Sequence, residues 1–183
     1  MNWIAAPAAA PDVHERARRI RLLSCDVDGV LTDGRILMCD DGSQIKAFSS
    51  LDGLGIKWLQ QQGIVVAWIS GSRAASVSHR ARDLGVEHVV LGAEDKLTPW
   101  ERLRAQLGIG NEACAHIGDD LPDLPVLMRC GLAATVPHAP SPMKRNAHYV
   151  THNEGGAGAV RELCELILTA RGDLESMLSS YAT

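Results

Sequence analysis

Two aspartates separated by one residue, Asp26 and Asp28, stand at the end of an apolar run in the segment CDVDGVLTDG. Positions two apart on a regular strand share a face, so both carboxylates can point into one crevice at a strand end. One carboxylate can then attack a phosphorus atom while the other handles the proton of the leaving group. Taken alone, the segment is explained equally well by a solvated acidic turn.

A second acidic cluster lies in GDDLPDL, which contains Asp119, Asp120 and Asp123 and follows another apolar run. A hard cation beside phosphate oxygens requires oxygen ligands of this kind, and Mg²⁺ is the natural choice. Because Mg²⁺ usually takes one or two carboxylates together with waters and phosphate, we expect Asp120 and Asp123 to lie around the direct ligands without binding the ion themselves. The alternative is an acidic cap on a helix that starts at Leu124, where the helix dipole favours anions.

Ser70 and Lys96 are candidate ligands for phosphoryl oxygens. Ser70 lies in WISGSR, at a strand-to-helix turn rich in small residues, where a hydroxyl and free backbone N–H groups can bind an anion. Lys96 in GAEDKL can neutralise both a nucleophile and a transferring phosphoryl group. Each has a plainer alternative, since Ser70 is also a typical helix N-cap and Lys96 a typical surface lysine.

The elements that must position these residues alternate between strand and helix. Apolar runs predict strands at 22–27, 64–70, 86–92, 113–118, 131–136 and 148–150, and helical patterns predict helices at about 54–63, 74–84, 99–107 and 157–170. Such alternation predicts an α/β fold, a Rossmann-like parallel sheet with helices on both faces. Between the first strand and the first of these helices, the turn signal Asp40-Asp41-Gly42 predicts a projecting β-hairpin flap.

The polar signals fall at four successive strand ends of this predicted sheet. Asp26 and Asp28 follow the first core strand, Ser70 the second, Lys96 the third and the GDDLPDL acids the fourth. Ligands of open α/β sheets bind in the crevice beyond the carboxyl ends of the strands. We therefore expect residues that are far apart in the sequence to converge on one site.

Length, charge and cysteine usage narrow the class of protein. With 183 residues, 46% of them hydrophobic, the chain suits a single domain with a loose N-terminal arm at 1–18 and a tail at 171–183. The 22 acidic and 18 basic residues give a formal charge of −4 without the basic block that binds nucleic acid. The apolar runs are too short to cross a membrane, and five scattered cysteines favour a reducing cytoplasm. The seven histidines show no metal-ligand spacing, so none is assigned to a site.

In their order along the chain, DVDGVLT, ISGS, Lys96 and GDDLPD resemble the four motifs of the haloacid dehalogenase (HAD) superfamily phosphatases. The resemblance implies hydrolysis of a small phosphomonoester through an aspartyl-phosphate, with Asp26 as nucleophile and Asp28 as general acid and later base. It also implies Mg²⁺ held by the Asp26 carboxylate, the Asp28 backbone carbonyl and Asp119, with Ser70 and Lys96 on the phosphoryl oxygens. The nearby carboxylates further predict that Asp28 keeps a proton to donate.

The motifs leave no room for an inserted cap domain, which resembles the capless HAD phosphatases. An open site needs cover, and a neighbouring subunit is the most economical one. The fuller pattern DVDGVLTDG, KAFSSLDGLGIK and GGAGAVRELCELIL is similar to that of the 3-deoxy-D-manno-octulosonate 8-phosphate (KDO 8-P) phosphatases, tetrameric enzymes of lipopolysaccharide precursor synthesis. This resemblance implies a homotetramer with substrate contacts across subunits from Asp52, Gly53, Lys57 and Arg80.

Three departures from the family pattern leave the substrate open. Many members carry arginine where this chain has Leu51 and Ser72, and often a basic residue at Ala157. Fewer cations around the pocket weaken the hold on the carboxylate of an acidic sugar. The alternatives are a nonulosonate 9-phosphate phosphatase, the phosphatase-like subunit of phenylphosphate carboxylase and, in another class, a non-catalytic interaction subunit. Against the last stands the retention of every motif residue.

Overall fold

A parallel sheet organises the computed structural model, which describes residues 11–179 and 181. The described strands are β1 (Leu22–Cys25), β2 (Leu37–Met38), β3 (Gln44–Ile45), β4 (Val65–Ser70), β5 (His88–Leu91), β6 (Cys114–Ile117), β7 (Leu132–Thr135) and β8 (Tyr149–Val150). Six of them form one sheet in the order β5-β4-β1-β6-β7-β8, and every neighbouring pair is parallel. The central strands β1, β6 and β7 are buried along their whole length, as expected for strands covered on both faces.

Helices connect the strands and cover the sheet. The described helices are α1 (Pro11–Arg18), α2 (Ser50–Gln61), α3 (Ala75–Leu84), α4 (Leu97–Gln106), α5 (Leu124–Leu127), α6 (Ser141–Asn146), α7 (Ala159–Arg171) and α8 (Leu174–Ser179). Helices α1 and α2 both pack against α7. The predicted α/β fold is thus confirmed. None of the described helices combines the length and the apolarity needed to cross a membrane.

The path of the chain places the site. From β1 the chain runs outward to β4 and β5, and then returns to the other side of β1 with β6. The direction of winding therefore reverses between β1 and β6, and in open α/β sheets this reversal opens the ligand crevice. Asp26 directly follows β1, and Asp119 comes shortly after β6, so both carboxylates stand at the switch point.

The predicted flap is present. The structure describes residues 22–117 without a gap, and no cap domain is inserted within them, as predicted. Strands β2 and β3 pair antiparallel around the turn at Asp40-Asp41-Gly42. Besides this flap, only α2 lies between β1 and β4, and only α3, β5, α4 and a short 3₁₀ turn lie between β4 and β6.

Two boundaries differ from the sequence expectation. Helix α2 begins at Ser50 rather than at residue 54, because the Ser49 side chain accepts a hydrogen bond from Leu51 N and caps a polar first turn that the apolar pattern misses. Helix α1 occupies the second half of the segment expected to be a loose arm, since Val13 and Ala17 are buried where α1 meets α7. Residues 1–10 of that predicted arm lie outside the described residues. Part of the predicted tail forms α8.

Candidate active site

Asp26, the expected nucleophile, lies buried at the carboxyl end of β1. Its backbone N–H donates to the Ile117 carbonyl (3.0 Å), so β6 fixes its position. Its Oδ1 lies 2.7 Å from Lys96 Nζ, which enters from the loop between β5 and α4. The same ammonium donates to Asp123 Oδ1 at 2.8 Å. Burial acts to lower the pKa of Lys96, but the charges of Asp123 and Asp26 outweigh it and raise that pKa, so the ammonium stays charged.

Asp26, Asp119 and Asp123 form a compact carboxylate cluster, with one oxygen of each within 4.8 Å of the others. Burial and the neighbouring carboxylates raise the pKa of Asp26 to about 6 and that of Asp119 to about 7. Burial also acts to raise the pKa of Asp123, but hydrogen bonds and charge from His116 and Lys96 outweigh it and lower that pKa. One ammonium does not balance three carboxylates, and Asp123 Oδ2 is buried without a hydrogen-bond partner among the described residues. The donor set therefore fits a hard divalent cation such as Mg²⁺.

The loop after Asp28 fits closely against this cluster. Gly29 has a φ of +88°, and a Cβ at this position would collide with the Asp119 carboxylate. On the other side, a Cβ at Gly155 would collide with the Gly29 carbonyl, and Gly156 N donates to Val30 O at 2.9 Å. The GGAG segment near the chain end thus packs directly behind the DVDG loop, which gives its glycines a steric reason.

Asp28, the expected general acid, faces the cleft and is held from the flap. Its Oδ1 accepts a hydrogen bond from the Lys46 ammonium, whose side chain is only 1% exposed. Lys46 directly follows β3, in which Gln44 lines the cleft and Ile45 points outward. A proton on Asp28 must therefore sit on its other oxygen, Oδ2. The sequence analysis considered only the carboxylates around Asp28 and did not predict its contact with the Lys46 ammonium.

An open cleft of about 370 Å³ brings the four motifs together. Ser70 is buried in its wall, its Oγ accepts from Ser72 N (3.1 Å), and its carbonyl accepts from Ala93 N (3.0 Å). This last bond ties the end of β4 to the loop that carries Lys96. The cleft is lined by Asp26, Asp28, Ser70, Ser72, Lys96 and the flap residues Ile36 and Gln44, with Gly71, Ala93, Glu94 and Pro122 completing it.

Several residues carried over from the family pattern do not line this cleft. Asp52 is only 1% exposed, and its Oδ1 accepts from Arg161 N (2.8 Å) at the start of α7. Its role within the subunit is thus to cap α7, and burial raises its pKa to about 6. Gly53 leaves space for the guanidinium of Arg80, which donates to the Ser49 carbonyl (3.5 Å).

Two further residues of the predicted site stand apart from the carboxylate cluster. Lys57 is exposed on α2 and does not line the cleft. Asp120 is exposed, and its Oδ1 accepts from Leu121 N (2.8 Å), so it caps the 3₁₀ turn at Leu121–Asp123. The alternative interpretation of GDDLPDL placed an acidic cap on the helix at Leu124, where no side-chain cap is formed. Asp123, expected outside the direct ligands, lies inside the cluster as the partner of Lys96.

Three residues near the site were not predicted: Lys46, His116 and His138. The alternation of QIK in the flap strand could have placed Lys46 on the same face as Gln44. His116 lies in an otherwise apolar strand, where a polar side chain requires a partner. His138 follows β7, with Nδ1 2.7 Å from Glu154 Oε2 and Nε2 3.8 Å from Asp119 Oδ2. No sequence signal for this third contact is apparent.

Comparisons with known proteins agree with this geometry. The family profile of the haloacid dehalogenase-like hydrolases matches residues 89–163. The 3-deoxy-D-manno-octulosonate 8-phosphate phosphatase KdsC of Yersinia pestis is 48% identical over 166 residues, which cover 91% of this chain and 89% of the relative. The enzyme of the same name from Escherichia coli K12 is 44% identical over 164 residues, covering 90% and 87%.

Solved structures with the same fold carry the same names. The crystal structure of the Yersinia pestis enzyme has a TM-score of 0.90 at 48% identity and covers 91% of this chain and 90% of its own. The Moraxella catarrhalis enzyme, solved in complex with magnesium ion, phosphate ion and a KDO molecule, has a TM-score of 0.91 at 41% identity, covering 93% and 98%. This chain therefore belongs to the haloacid dehalogenase-like hydrolases, and within them to the family of the KDO 8-P phosphatases.

Proposed function

We propose that this protein hydrolyses 3-deoxy-D-manno-octulosonate 8-phosphate in a Mg²⁺-dependent reaction, with Asp26 as the nucleophile. One observation carries the proposal: the buried Asp26 carboxylate lies 2.7 Å from the Lys96 ammonium, within the carboxylate cluster and facing the same cleft as Asp28. Relatives 44–48% identical to this chain are named for this substrate. The Moraxella catarrhalis relative was solved with magnesium, phosphate and KDO together.

The first half of the reaction transfers the phosphoryl group to the protein. A carboxylate oxygen of Asp26 attacks phosphorus, the bond from phosphorus to the sugar oxygen breaks, and Asp28 gives its proton to the departing oxygen. Lys96 keeps its charge and neutralises Asp26 and the phosphoryl oxygens, while Ser70 contributes hydrogen-bond donors at the end of β4. The carboxylates of Asp26 and Asp119 and the backbone carbonyl of Asp28 would hold Mg²⁺, which offsets the negative charge that gathers on the phosphoryl oxygens.

The second half returns Asp26 to its starting state. Asp28, now ionised, takes a proton from a water molecule, and this water attacks the phosphorus atom of the aspartyl-phosphate. The bond between phosphorus and the Asp26 oxygen breaks and inorganic phosphate leaves. Asp28 therefore acts once as acid and once as base, which suits a carboxylate that is only partly buried and opens to the cleft.

The octulosonate substrate is supported by the relatives and opposed by the residues around the cleft. Ser72 lines the cleft and uses its Oγ to accept from Ala74 N (3.2 Å), while Leu51 is 55% exposed. Neither offers the cation that many family members carry at these positions. An anionic Glu94 also stands at the cleft. Because of these features, a nonulosonate 9-phosphate and an aryl phosphate remain alternative substrates, which must be compared directly with octulosonate 8-phosphate.

A substrate panel tests the proposal. Phosphate release is measured with and without Mg²⁺ from octulosonate 8-phosphate, a nonulosonate 9-phosphate, phenyl phosphate and 4-nitrophenyl phosphate. We expect the highest kcat/KM for octulosonate 8-phosphate, and loss of turnover with every substrate when Mg²⁺ is chelated. Preference for an aryl phosphate would contradict the proposal and support the alternative of a phosphatase-like subunit of phenylphosphate carboxylase. Absence of Mg²⁺-dependent release from all four substrates would support the non-catalytic subunit. The Asp26→Asn variant serves as the blank for contaminating phosphatases.

We further propose that the protein assembles as a homotetramer through the flap, as the family resemblance implies. Leu37 and Ile45 pair with each other on the outer face of the flap and are 51% and 57% exposed, so that face is apolar and uncovered in the single subunit. Ile36 and Met38, on the side of Gln44 and the cleft, are also more than half exposed. Exposed apolar patches of this kind are typical of protein interfaces. A neighbouring subunit seated there would also close the open side of the cleft.

Sedimentation of an Ile45→Asp variant tests this assembly. We expect the wild-type chain to sediment as a tetramer and the variant as a smaller species, because a charge would be buried in the interface. Met128→Asp is the matched control, since Met128 is an exposed apolar residue on another part of the surface. A wild-type monomer, or equal dissociation of both variants, would contradict the proposed flap interface.

The described structure also fits the compartment expected from the sequence. All five cysteines are free thiols, and four of them are buried. Free thiols persist in a reducing environment. We therefore keep the cytoplasm as part of the proposal.

A further inference from the structure

A chain of buried polar side chains continues behind the Lys96 ammonium, away from the cleft. Lys96 Nζ and His116 Nε2 lie 2.8 and 2.9 Å from the same oxygen, Asp123 Oδ1. On the other side of the ring, His116 Nδ1 lies 2.8 Å from Ser24 Oγ, which also contacts the Ala115 carbonyl at 3.1 Å. Both Ser24 and His116 have no exposed surface.

The chemistry of these contacts fixes the direction of the central bond. The carboxylate of Asp123 only accepts hydrogen bonds, so His116 Nε2 must carry the hydrogen that it receives. Ser24 occupies the other ring nitrogen and prevents the imidazole from turning away. Asp123 Oδ1 is therefore held by two donors, one being the ammonium that contacts the nucleophile and the other an imidazole anchored in the sheet.

The position of His116 argues against a simple packing role. It is the third residue of β6, paired with Ser24 of β1 and Ala133 of β7, among neighbours that are otherwise apolar. Burying a polar ring in such a place is costly unless its nitrogens are hydrogen-bonded. An apolar side chain would fill the same space without that cost. The hydrogen bond to Ser24 therefore holds the ring in the orientation in which its other nitrogen donates to Asp123.

We propose that His116 is a positioning residue for the reaction: through Asp123 it sets the place of the Lys96 ammonium beside Asp26. The ring nitrogens of His116 contact Asp123 and Ser24, neither of which lines the cleft, so we assign its action to Asp123. This inference rests on the proposed function, in which Lys96 neutralises the nucleophile and the phosphoryl group. It adds a residue from the interior of the sheet to a site built otherwise from strand ends.

Two substitutions separate positioning from packing. His116→Gln can place an amide N–H near the former Nε2 and keep the bond to Asp123, whereas His116→Asn reaches only the former Nδ1 and keeps the side facing Ser24. We expect His116→Asn to lower kcat about 10–100-fold with KM changed less than about twofold, because a small displacement of a catalytic group has effects of this size. We expect His116→Gln to stay within about threefold of wild type. The substrate is 4-nitrophenyl phosphate, so the physiological substrate is not needed.

Controls distinguish failure of this inference from failure of the mechanism. His148→Asn is the matched control, since His148 also lies beside the sheet, accepts from Ala133 N (2.9 Å), and stands outside the site; we expect wild-type kcat. Lys96→Met tests the mechanism by itself. Full activity in this variant would overturn the proposed role of Lys96, and with it the positioning role of His116. If Lys96→Met is inactive and His116→Asn equals wild type, only the inference about His116 fails.

A double-variant comparison gives a readout that loss of packing would not produce. If His116 acts through Asp123, adding His116→Asn to Asp123→Asn should lower kcat by less than about twofold further, because the link is already broken. Independent multiplication of the two effects would overturn the proposal, as would equal losses in the Gln and Asn variants at unchanged thermal midpoints. Should His116→Asn fail to fold, a loss of tenfold or more in a folded His116→Gln variant overturns it alone.

Discussion

The two carboxylates of the DVDG segment lie two residues apart in the sequence but in two different regions of the molecule. Asp26 is buried at the end of β1, and its surroundings come from the sheet: Lys96, Asp123 and, behind them, His116. Asp28 is 25% exposed, and its partner Lys46 comes from the flap, whose outer face is apolar and open. The nucleophile is therefore set by the core of one subunit, whereas the general acid depends on a projecting hairpin.

The largest expected effect is that of Asp26→Asn, which removes the nucleophile from the sheet region. We expect kcat to fall at least about 10⁴-fold with every phosphomonoester, since losing the nucleophile of a covalent mechanism has effects of this order. No phosphoprotein should form, whatever the leaving group. Turnover is measured by phosphate release, with the thermal midpoint as the control for folding. Residual activity above about 1% of wild type in a folded variant would contradict the covalent mechanism.

Asp28→Asn addresses the second region and should be distinguishable from loss of Asp26. A nitrophenolate leaves without a proton, so the first step with 4-nitrophenyl phosphate should survive, while the second step lacks its base. We expect a burst of about one nitrophenolate per subunit followed by turnover slowed about 10²–10⁴-fold. Stopped-flow absorbance measures the burst. A uniform slowing without a burst would mean that Asp28 is needed in the first step even for a good leaving group.

Lys46→Met should have a smaller effect, because it leaves Asp28 in place and removes only its partner. We expect kcat for an alkyl phosphate to fall about 10–100-fold, with the effect on 4-nitrophenyl phosphate smaller, since general acid catalysis contributes at most about 10²–10⁴-fold. Lys46→Arg should recover part of the loss by restoring the charge. Lys144→Met, at an exposed lysine on α6, is the control. Equal losses with both substrates would separate Lys46 from the proton transfer.

The smallest effect on catalysis is expected from Glu162→Gln. Glu162 lies on α7 and binds the loop at residues 152–153, which leads into the glycines packed behind the DVDG segment. Glu162 accepts from Tyr149 Oη and from the backbone N–H groups of His152 and Asn153. Burial acts to raise the pKa of Glu162, but these hydrogen bonds outweigh it and lower the pKa below the usual 4.5. A lowered folded pKa means that the stabilisation is present above pH 4.5 and is lost as the pH falls through the folded value.

Urea unfolding at several pH values checks this prediction. At pH 7 the Glu162→Gln variant should be less stable by about 1–3 kcal/mol, the cost of weakening hydrogen bonds to a buried carboxylate. The difference from wild type should narrow as the pH is lowered below about 4.5. A difference that is the same at pH 4 and pH 7 would show that the charge of Glu162 contributes nothing.

Much of the fold and of the sheet region could be predicted from the sequence. The apolar strand runs, the turn at Asp40-Asp41-Gly42 and the order of the motifs led to the parallel sheet, the flap and the meeting of Asp26, Ser70 and Lys96. These are consequences of local pattern and of one topological rule. The segment expected as a loose arm contains α1 from Pro11 onward, which packs against α7 and has Val13 and Ala17 buried. This packing against α7 is a tertiary contact, which the local pattern does not specify.

What the sequence by itself determined is which groups can do chemistry and at which strand ends they stand, since residue types and strand periodicity are local properties. Only the tertiary structure decided their partners: Lys46 on Asp28, His116 on Asp123, and Asp52 as the cap of α7 rather than part of the cleft. These contacts join residues that are 18, 7 and 109 positions apart. The physical reason is that a charged or polar side chain takes whichever partner folding brings within hydrogen-bond distance, and that choice is made by the packing of elements distant in the chain.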